Sequence, residues 1–499
     1  MIVLANARIY SYDSATRRFA RHDSLLIEGE RIVALDEDPT GVGADRMDLD
    51  DATVLPAFAD CHVHVTDTGY FLGARDLATV RSYSGFAQAI ERLPNDAGFV
   101  FAGQYDETTW HDGGVADAIP LERFHSNARA LVSRIDGHSC VVNRATLDWL
   151  DLGAETQGIE RDADGSPTGK LFLQANWRAQ AEFFLQIPLA ARRAAERRAV
   201  DLALSRGTLH LHAQLVGFPR DDYAGEIAAL RATQAKIYPK VCEPDPQLAQ
   251  ELGLAYVGGD VFLDGSIGSR TAALARPYSD GDGCGALRFS DDALLAYFSA
   301  AEACGIAAGV HAIGDAAIEQ CVRVWERVLA GKPSQRGCRH FIEHFEIATP
   351  EHIDACARMG IALSMQPQFD LLWGNNGGMY EQRLGSARKR SMNALASIDD
   401  TGTLLCGGDD SPVCDLNPLA GMQACVDHHE PSQRLSPHRA LAMYTVNAAR
   451  LAYAENETGN IAAGLAADLA ILDRDPLDGA RFTDCRVLQT WRNGSPVSP

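Results

Sequence analysis

Short apolar runs that end on polar residues alternate with helical patterns along most of the chain. The runs are Ala52–Phe58, Gly98–Gly103, Ala130–Asp136, Thr208–Gln214, Ala235–Cys242, Val257–Asp264, Ile306–Gly314, His340–Phe345, Ile361–Gln366 and Gly402–Asp409. Between them, Ala190–Arg206, Asp291–Cys304, Ala316–Leu329, Pro350–Met359 and Pro437–Arg450 read as helices. Strands bounded by helices in this order predict βα units around a buried parallel sheet. About eight such units, with chemistry-bearing residues at the strands' C-terminal ends, predict an α/β fold of the TIM (β/α)8 barrel type rather than an open sheet.

The two ends differ from the middle. Residues 1–56 and 457–499 hold short strands with turn signals such as Glu28-Gly29-Glu30 and Thr458-Gly459-Asn460. They predict one small β-sandwich domain built from both termini, flanking a barrel over residues 57–456. The stretch around 140–190 is less regular and reads as an insertion near the barrel mouth.

Composition narrows the function classes. A chain of 499 residues exceeds the size at which one core stops growing, roughly 250 residues, which agrees with a large domain plus a smaller one. A net charge of -22 argues against nucleic acid or an anionic membrane surface as partner. No run approaches the roughly 18 apolar residues of a membrane span. Met1–Tyr10 alternates like a strand and lacks the basic and apolar regions of a signal peptide. The 12 cysteines are scattered without a CxxC, as expected of reduced thiols in a cytoplasmic protein. The expected partner is a small-molecule substrate, with no nucleic acid and no membrane; Ala-rich helices permit a homo-oligomer.

The strongest local signal is Asp60-Cys61-His62-Val63-His64 at the end of an apolar run. Side chains of a strand alternate faces, so His62 and His64 point the same way and can converge on one cation. His311 and His344 close later runs in the same manner, and the acidic pair Asp409-Asp410 closes the run Leu404–Gly408. Histidines from several strand ends with a late aspartate form a divalent-metal cage with an open position. Each histidine alone could equally be a hydrogen-bonded core residue; four in register weaken that reading.

These segments resemble the amidohydrolase superfamily, and within it the YtcJ-like (amidohydrolase 3) branch. The resemblance is carried by Ala59–His64, Asp136-Gly137-His138-Ser139, Asp264–Ala272, the His311 segment, Ile342-Glu343-His344, Met365-Gln366-Pro367, Gly408–Val413 and Ala467–Asp473, in family order over nearly the whole chain. It implies a metal-dependent hydrolase with one or two divalent metal ions, zinc foremost. His62 and His64 would bind the first ion, His311 and His344 the second, and Asp410, with Asp409 as the fallback, would touch the first. One position departs from the pattern. The family's lysine, which bridges the ions once carboxylated, is replaced by Asp260, whose carboxylate could bridge or stand nearby; Lys170 is a remote alternative source of a carbamate.

The implied reaction is attack of metal-activated water on the C–N bond of a small amide-type substrate: an N-acyl amine, cyclic amide or carbamate. Asp410 would relay the proton. His138 would hydrogen-bond the substrate carbonyl or the developing oxyanion. Arg270 would hold a substrate carboxylate. Asp315 and Glu343 would orient metal histidines. Two alternatives stay open: deamination of an amidine-like ring, and a non-catalytic scaffold that binds no metal.

Overall fold

The computed structural model describes residues 1–36, 45–72, 76–95, 98–153, 155–186 and 188–497. Of the expected β-rich ends and insertion, residues 37–44, 154, 187 and 498–499 lie outside these. The strands in chain order begin with β1 (Ile2–Asp13), β2 (Arg18–Glu28), β3 (Arg31–Leu35), β4 (Asp45–Pro56) and β5 (Phe58–Val63). Then come β6 (Phe99–Tyr105), β7 (Arg129–Arg134), β8 (Ser139–Val142), β9 (Ile159–Arg161) and β10 (Pro167–Phe172). The third group is β11 (Thr208–Leu215), β12 (Lys236–Val241), β13 (Tyr256–Val257), β14 (Ala307–Ala312), β15 (Phe341–His344), β16 (Ala362–Met365) and β17 (Leu405–Gly407). The chain ends with β18 (Leu469–Leu472), β19 (Val487–Arg492) and β20 (Ser495–Val497).

Both termini share one seven-stranded sheet of order β20-β19-β18-β4-β1-β2-β3. Its join is the antiparallel pairing of β18 with β4, Leu469 opposite Pro56 and Leu472 opposite Thr53. Leu4, Ile9, Leu25, Val54, Leu469 and Trp491 pack into one apolar cluster on it, so burial ties the two ends of the chain together.

The middle of the chain is a curled parallel arrangement. β12-β11-β5 form one sheet and β13-β14-β15-β16-β17 another. Every pairing within both sheets is parallel. β5, β11, β14, β15, β16 and β17 are buried along their whole length, the pattern of strands covered on both faces. Backbone hydrogen bonds continue past the sheet edges. Gly258 donates to Val241 (2.8 Å), while Asp410 donates to His62 (2.8 Å) and His64 to Ser411 (2.9 Å).

The helices that cover these strands start and stop where local chemistry says they should. The helix Asp291–Cys304 is capped by Ser290, whose side chain accepts from Ala293, and ends on Gly305. The helix Pro350–Met359 carries a capping box from Thr349 and His352 and ends on Gly360. The stretch Pro437–Arg450, which reads as one helix in sequence, is two, Pro437–Met443 and Val446–Leu451. The break is at Thr445, with φ -138 and ψ -95.

One group of strands departs from the sequence reading. The runs at 98–103 and 130–136 look like two more βα units of the parallel series. They form β6 and β7, which pair with each other and then with β8, β10 and β9 in a separate mixed sheet. A short apolar run is the same in any buried sheet, and only the pairing partner distinguishes them. This sheet lies between β5 and β11 in the chain and leads into the helix Leu173–Leu185.

Candidate metal centre

β5 delivers His62 and His64 to one place, as strand alternation requires, with ring centroids 5.5 Å apart. His311 stands on β14, and His344 ends β15 in a left-handed backbone conformation (φ 72). Asp410 follows β17, also left-handed (φ 53). Such backbone at non-glycine positions costs of order 1–3 kcal/mol each and marks places where side-chain direction outweighs local comfort. Gly408 makes the approach of β17 to β5 feasible: a Cβ there would lie 2.6 Å from the His62 amide nitrogen.

Asp260 is placed by a turn rather than by a strand. β13 stops at Val257, and Gly258 (φ +83) and Gly259 (φ +109) swing the chain across the strand ends. A Cβ on Gly258 would meet the Gly309 carbonyl oxygen at 2.1 Å, so the turn is open only to glycine. The short side chain of Asp260 is thereby carried to the centre of the cluster by its own backbone. Its Oδ2 faces His62 (3.3 Å) and His64 (3.1 Å); its Oδ1 faces His311 (3.6 Å) and His344 (3.7 Å). Asp410 Oδ1 lies 3.2 Å from both His62 and His64. Asp409 points elsewhere, accepting from Gln368 (2.8 Å) and the Asn417 amide (2.6 Å).

The ligand atoms of three overlapping trios, His62–His64–Asp260, His62–His344–Asp410 and Asp260–His311–His344, each fall within 4.8 Å of one another, close enough to hold an ion. His62 Nε2, Asp260 Oδ1 and His311 Nδ1 are buried and lack any hydrogen-bond partner. Buried polar atoms are normally satisfied, and three orphans in one cluster fit residues that would hold a cation. The electrostatics agree. Burial opposes a charge on His64, yet the carboxylates of Asp260 and Asp410 lift its imidazole to about 10. Burial raises Asp410, but His62 and His64 hold it well below the usual carboxylate range. The cluster is short of positive charge.

A second layer aims these groups. Glu343 Oε2 is 2.9 Å from His62 Nδ1, and Gln214 lies 3.0 Å from the same nitrogen. The buried Lys240 ammonium pairs with Glu343 and donates to the Cys61 carbonyl (2.7 Å). Burial pushes Glu343 up, but Lys240 and His62 hold it at about 2. His344 Nδ1 meets Gln366 Oε1 at 2.8 Å. Asp60 accepts from the His62 and Asp409 amides (2.9 and 3.1 Å), locking the two strand ends together. Of the two acids expected in this role, Glu343 touches a histidine; Asp315 instead accepts from the Ala275 amide (2.9 Å). Gln214 and Gln366 carry no role in the sequence reading, although each is the polar residue that closes an apolar run.

A cavity of about 420 Å³ opens over the cluster, lined among others by His64, His138, Asp260, His311, His344 and Asp410. The His138 ring contacts His311 (5.1 Å) and Trp177 (4.9 Å), and burial, with His311 next, pulls it down to about 3. It is a neutral imidazole. Asp136 accepts from the His138 amide (3.1 Å) and pairs with buried Arg134, which also grips Asp106 and Glu107. Arg270 is not in the lining: its fork is closed on Asp280 (3.0 and 2.7 Å) at the exposed surface. Lys170 sits in β10 with its ammonium 5.5 Å from the Phe172 ring, outside the lining as well. All 12 cysteines are free; one, Cys338, is grouped with Glu302 and His340 in a further trio of potential ligands.

The model of the amidohydrolase family matches residues 45–498. The chain belongs to that family. It is 27% identical over 492 residues to YtcJ of Bacillus subtilis (strain 168), named as an amidohydrolase, covering 91% of this chain and 90% of that one. It is 24% identical over 560 residues to the N-substituted formamide deformylase of Arthrobacter pascens, covering 99% and 97%. Among solved structures, a metal-dependent hydrolase from Pyrococcus furiosus superposes with a TM-score of 0.73 at 24% identity, covering 96% of this chain and all of that one. That likeness implies a TIM-barrel-type fold. The protein is a hydrolase acting on carbon–nitrogen bonds. Among the described residues, no helix is long and apolar enough to cross a membrane.

Proposed function

We propose that this amidohydrolase cleaves the C–N bond of a small amide-type substrate (N-acyl amine, cyclic amide or carbamate) at a centre of two divalent metal ions, zinc foremost. His62, His64 and Asp410 would hold one ion, His311 and His344 the other, with Asp260 between them. The carrying observation is the division of Asp260: one carboxylate oxygen faces the first histidine pair and the other faces the second. A native carboxylate then serves where relatives of this pattern use a modified lysine. The Gly258–Gly259 turn supplies the reach that the shorter side chain lacks.

When bound, such ions polarise a carbonyl and make water available as a nucleophile near neutral pH. The protein's own groups do the rest. Asp410 takes the water's proton on its carboxylate and returns it to the leaving nitrogen. Neutral His138, on the cavity side of His311, donates a hydrogen bond to the substrate carbonyl as negative charge builds on its oxygen. The setting is a closed (β/α)8 barrel over residues 57–456. Two features support closure: the hydrogen bonds from Asp410 to His62 and from His64 to Ser411, which join the segment after β17 to β5, and that of Gly258 to β12. Residues 1–56 and 457–499 form the small β domain, a sandwich in this reading.

The test is metal content per chain on protein purified without chelator, wild type against Asp260→Ala. Two ions in wild type, falling to one or none in the variant, with amide hydrolysis restored by added zinc, is the expected outcome. A single ion indifferent to the substitution would sink the bridging role, and no ion at all would sink the metal reading.

A further inference from the structure

The cavity wall contains charges of two kinds. Arg134 is claimed by Asp106, Glu107 and Asp136, and Arg192 by Glu226. Arg288 also lines the cavity, and no carboxylate pairs with it among the described residues. Its backbone is pinned, the amide donating to the Leu263 carbonyl (2.8 Å). Asp264, the acid whose charge acts on it, is committed to the amides of Ala273, Ile313 and Gly314 (2.9, 3.1 and 2.8 Å).

The surroundings of Arg288 connect it to the reacting centre. Its guanidinium carbon is 5.6 Å from the Trp177 ring and 5.6 Å from the Phe262 ring. Those two rings stack at 4.1 Å and 17°. Trp177 also meets His138 (4.9 Å), and Phe262 meets His311 (4.9 Å). One aromatic stack therefore touches both a cation and the histidines His138 and His311. The lining also offers the apolar side chains of Phe71, Phe184, Leu185 and Phe218.

We infer that the cavity selects an amide bearing a carboxylate, with the anion held in the fork of Arg288 and an apolar arm laid along the Trp177–Phe262 stack. This rests on the amide reading above and deepens it. A guanidinium matches a carboxylate in two parallel hydrogen bonds, and aromatic faces on one side leave its N–H edges free for them. The acids that line the cavity, among them Asp67, Glu243 and Asp410, repel an anion placed elsewhere, so the charge also orients the substrate. Arg178, exposed beside Trp177 on the helix Leu173–Leu185 and also in the lining, adds positive potential at the same wall.

Two measurements on metal-loaded protein test this. Calorimetric titration compares 3-phenylpropanoate with its neutral amide. Wild type is expected to bind the carboxylate at least tenfold more tightly; Arg288→Met should bring the ratio near one, and Arg288→Lys should restore part of it, with unfolding midpoints confirming that both variants fold. No preference in wild type, or a preference kept by Arg288→Met because the anion sits on the metal ions, overturns the inference. Kinetics then compare N-acetylphenylalanine with N-acetyl-2-phenylethylamine. The first should have at least a tenfold higher kcat/KM in wild type, lost in Arg288→Met mainly through KM. Equal hydrolysis of both overturns the anion site and leaves the amide reading standing. Arg288-dependent binding without hydrolysis of either overturns the amide reading and leaves the anion site.

Discussion

Among the described residues, two groups of histidine and acid gather trios of ligand atoms within 4.8 Å of one another, and they are not equivalent. One lies at the C-terminal ends of the parallel strands, around Asp260. The other, Glu302–Cys338–His340, lies at the opposite end, just before β15 begins. In the second group each ring nitrogen is already employed. His340 Nδ1 accepts from the Ala308 amide (3.0 Å) and Nε2 meets Glu302 (3.0 Å), while Ser334 also donates to Glu302. Burial raises the Cys338 thiol, the reverse of what a metal-ligating thiolate needs. In the first group three buried atoms have nothing to bond. Ligand spacing is shared by both; unmet bonding demand belongs to one. The difference separates a cluster suited to hold a cation from a network that holds two strands in register.

The largest expected effect comes from breaking each group in turn. Asp260→Ala should lower kcat/KM by about 10³-fold or more, since losing a central ligand costs more than the 10–100-fold typical of an outer partner. His340→Ala should change kcat/KM and metal content by less than about twofold, because nothing in that network requires an ion. Metal analysis and steady-state rates on the two variants decide the matter, and equal metal loss in both would erase the distinction. Next in size, Gln366→Ala removes the partner of His344 Nδ1 and should weaken metal affinity by about 10–100-fold, read by competition with a chelator.

Smaller effects sharpen the other side. His340→Ala leaves the Ala308 amide without an acceptor and should cost about 1–3 kcal/mol of stability, seen as a lower unfolding midpoint. The smallest is a pH effect. Burial holds His340 below its ordinary value, Glu302 only partly offsetting it. The folded state therefore binds fewer protons there than the unfolded one. The stability it contributes is complete above the unfolded value near 6.5 and is lost as pH falls toward the lower folded value. His340→Gln should flatten that part of the stability profile; an unchanged slope between pH 7 and 5 would place the acid sensitivity elsewhere.

The gathering of the four histidines was legible because strand geometry does the work: alternation puts His62 and His64 on one face, and parallel strands align their ends. Helix limits such as Pro350–Met359 were legible from caps. Other features depend on partners far away in sequence. β6 and β7 carry the same apolar signature as the parallel series, and only pairing with β8 and β10 reveals a separate sheet. Arg270 and Arg288 are indistinguishable as letters; an ion pair with Asp280 removes the first from the cavity, and the lack of one leaves the second free for a ligand. Gln214 acts through His62, which lies on a neighbouring strand, so no local pattern announces it.

Between Val63 and Thr208 the chain leaves the parallel series, builds β6–β10, and returns through the helix Leu173–Leu185 that supplies Trp177 and Phe184 to the cavity. Of the candidate ligands, His64 is the first residue of this excursion, and His62, Asp260, His311, His344 and Asp410 lie outside it. One wall of the cavity and most of the candidate ligands therefore stand on separable lengths of chain. Exchanging the excursion beyond His64 would redraw one wall while the candidate ligands stay in place, with Phe218, Glu243, Phe262 and Arg288 among the fixed lining that a new segment must fit.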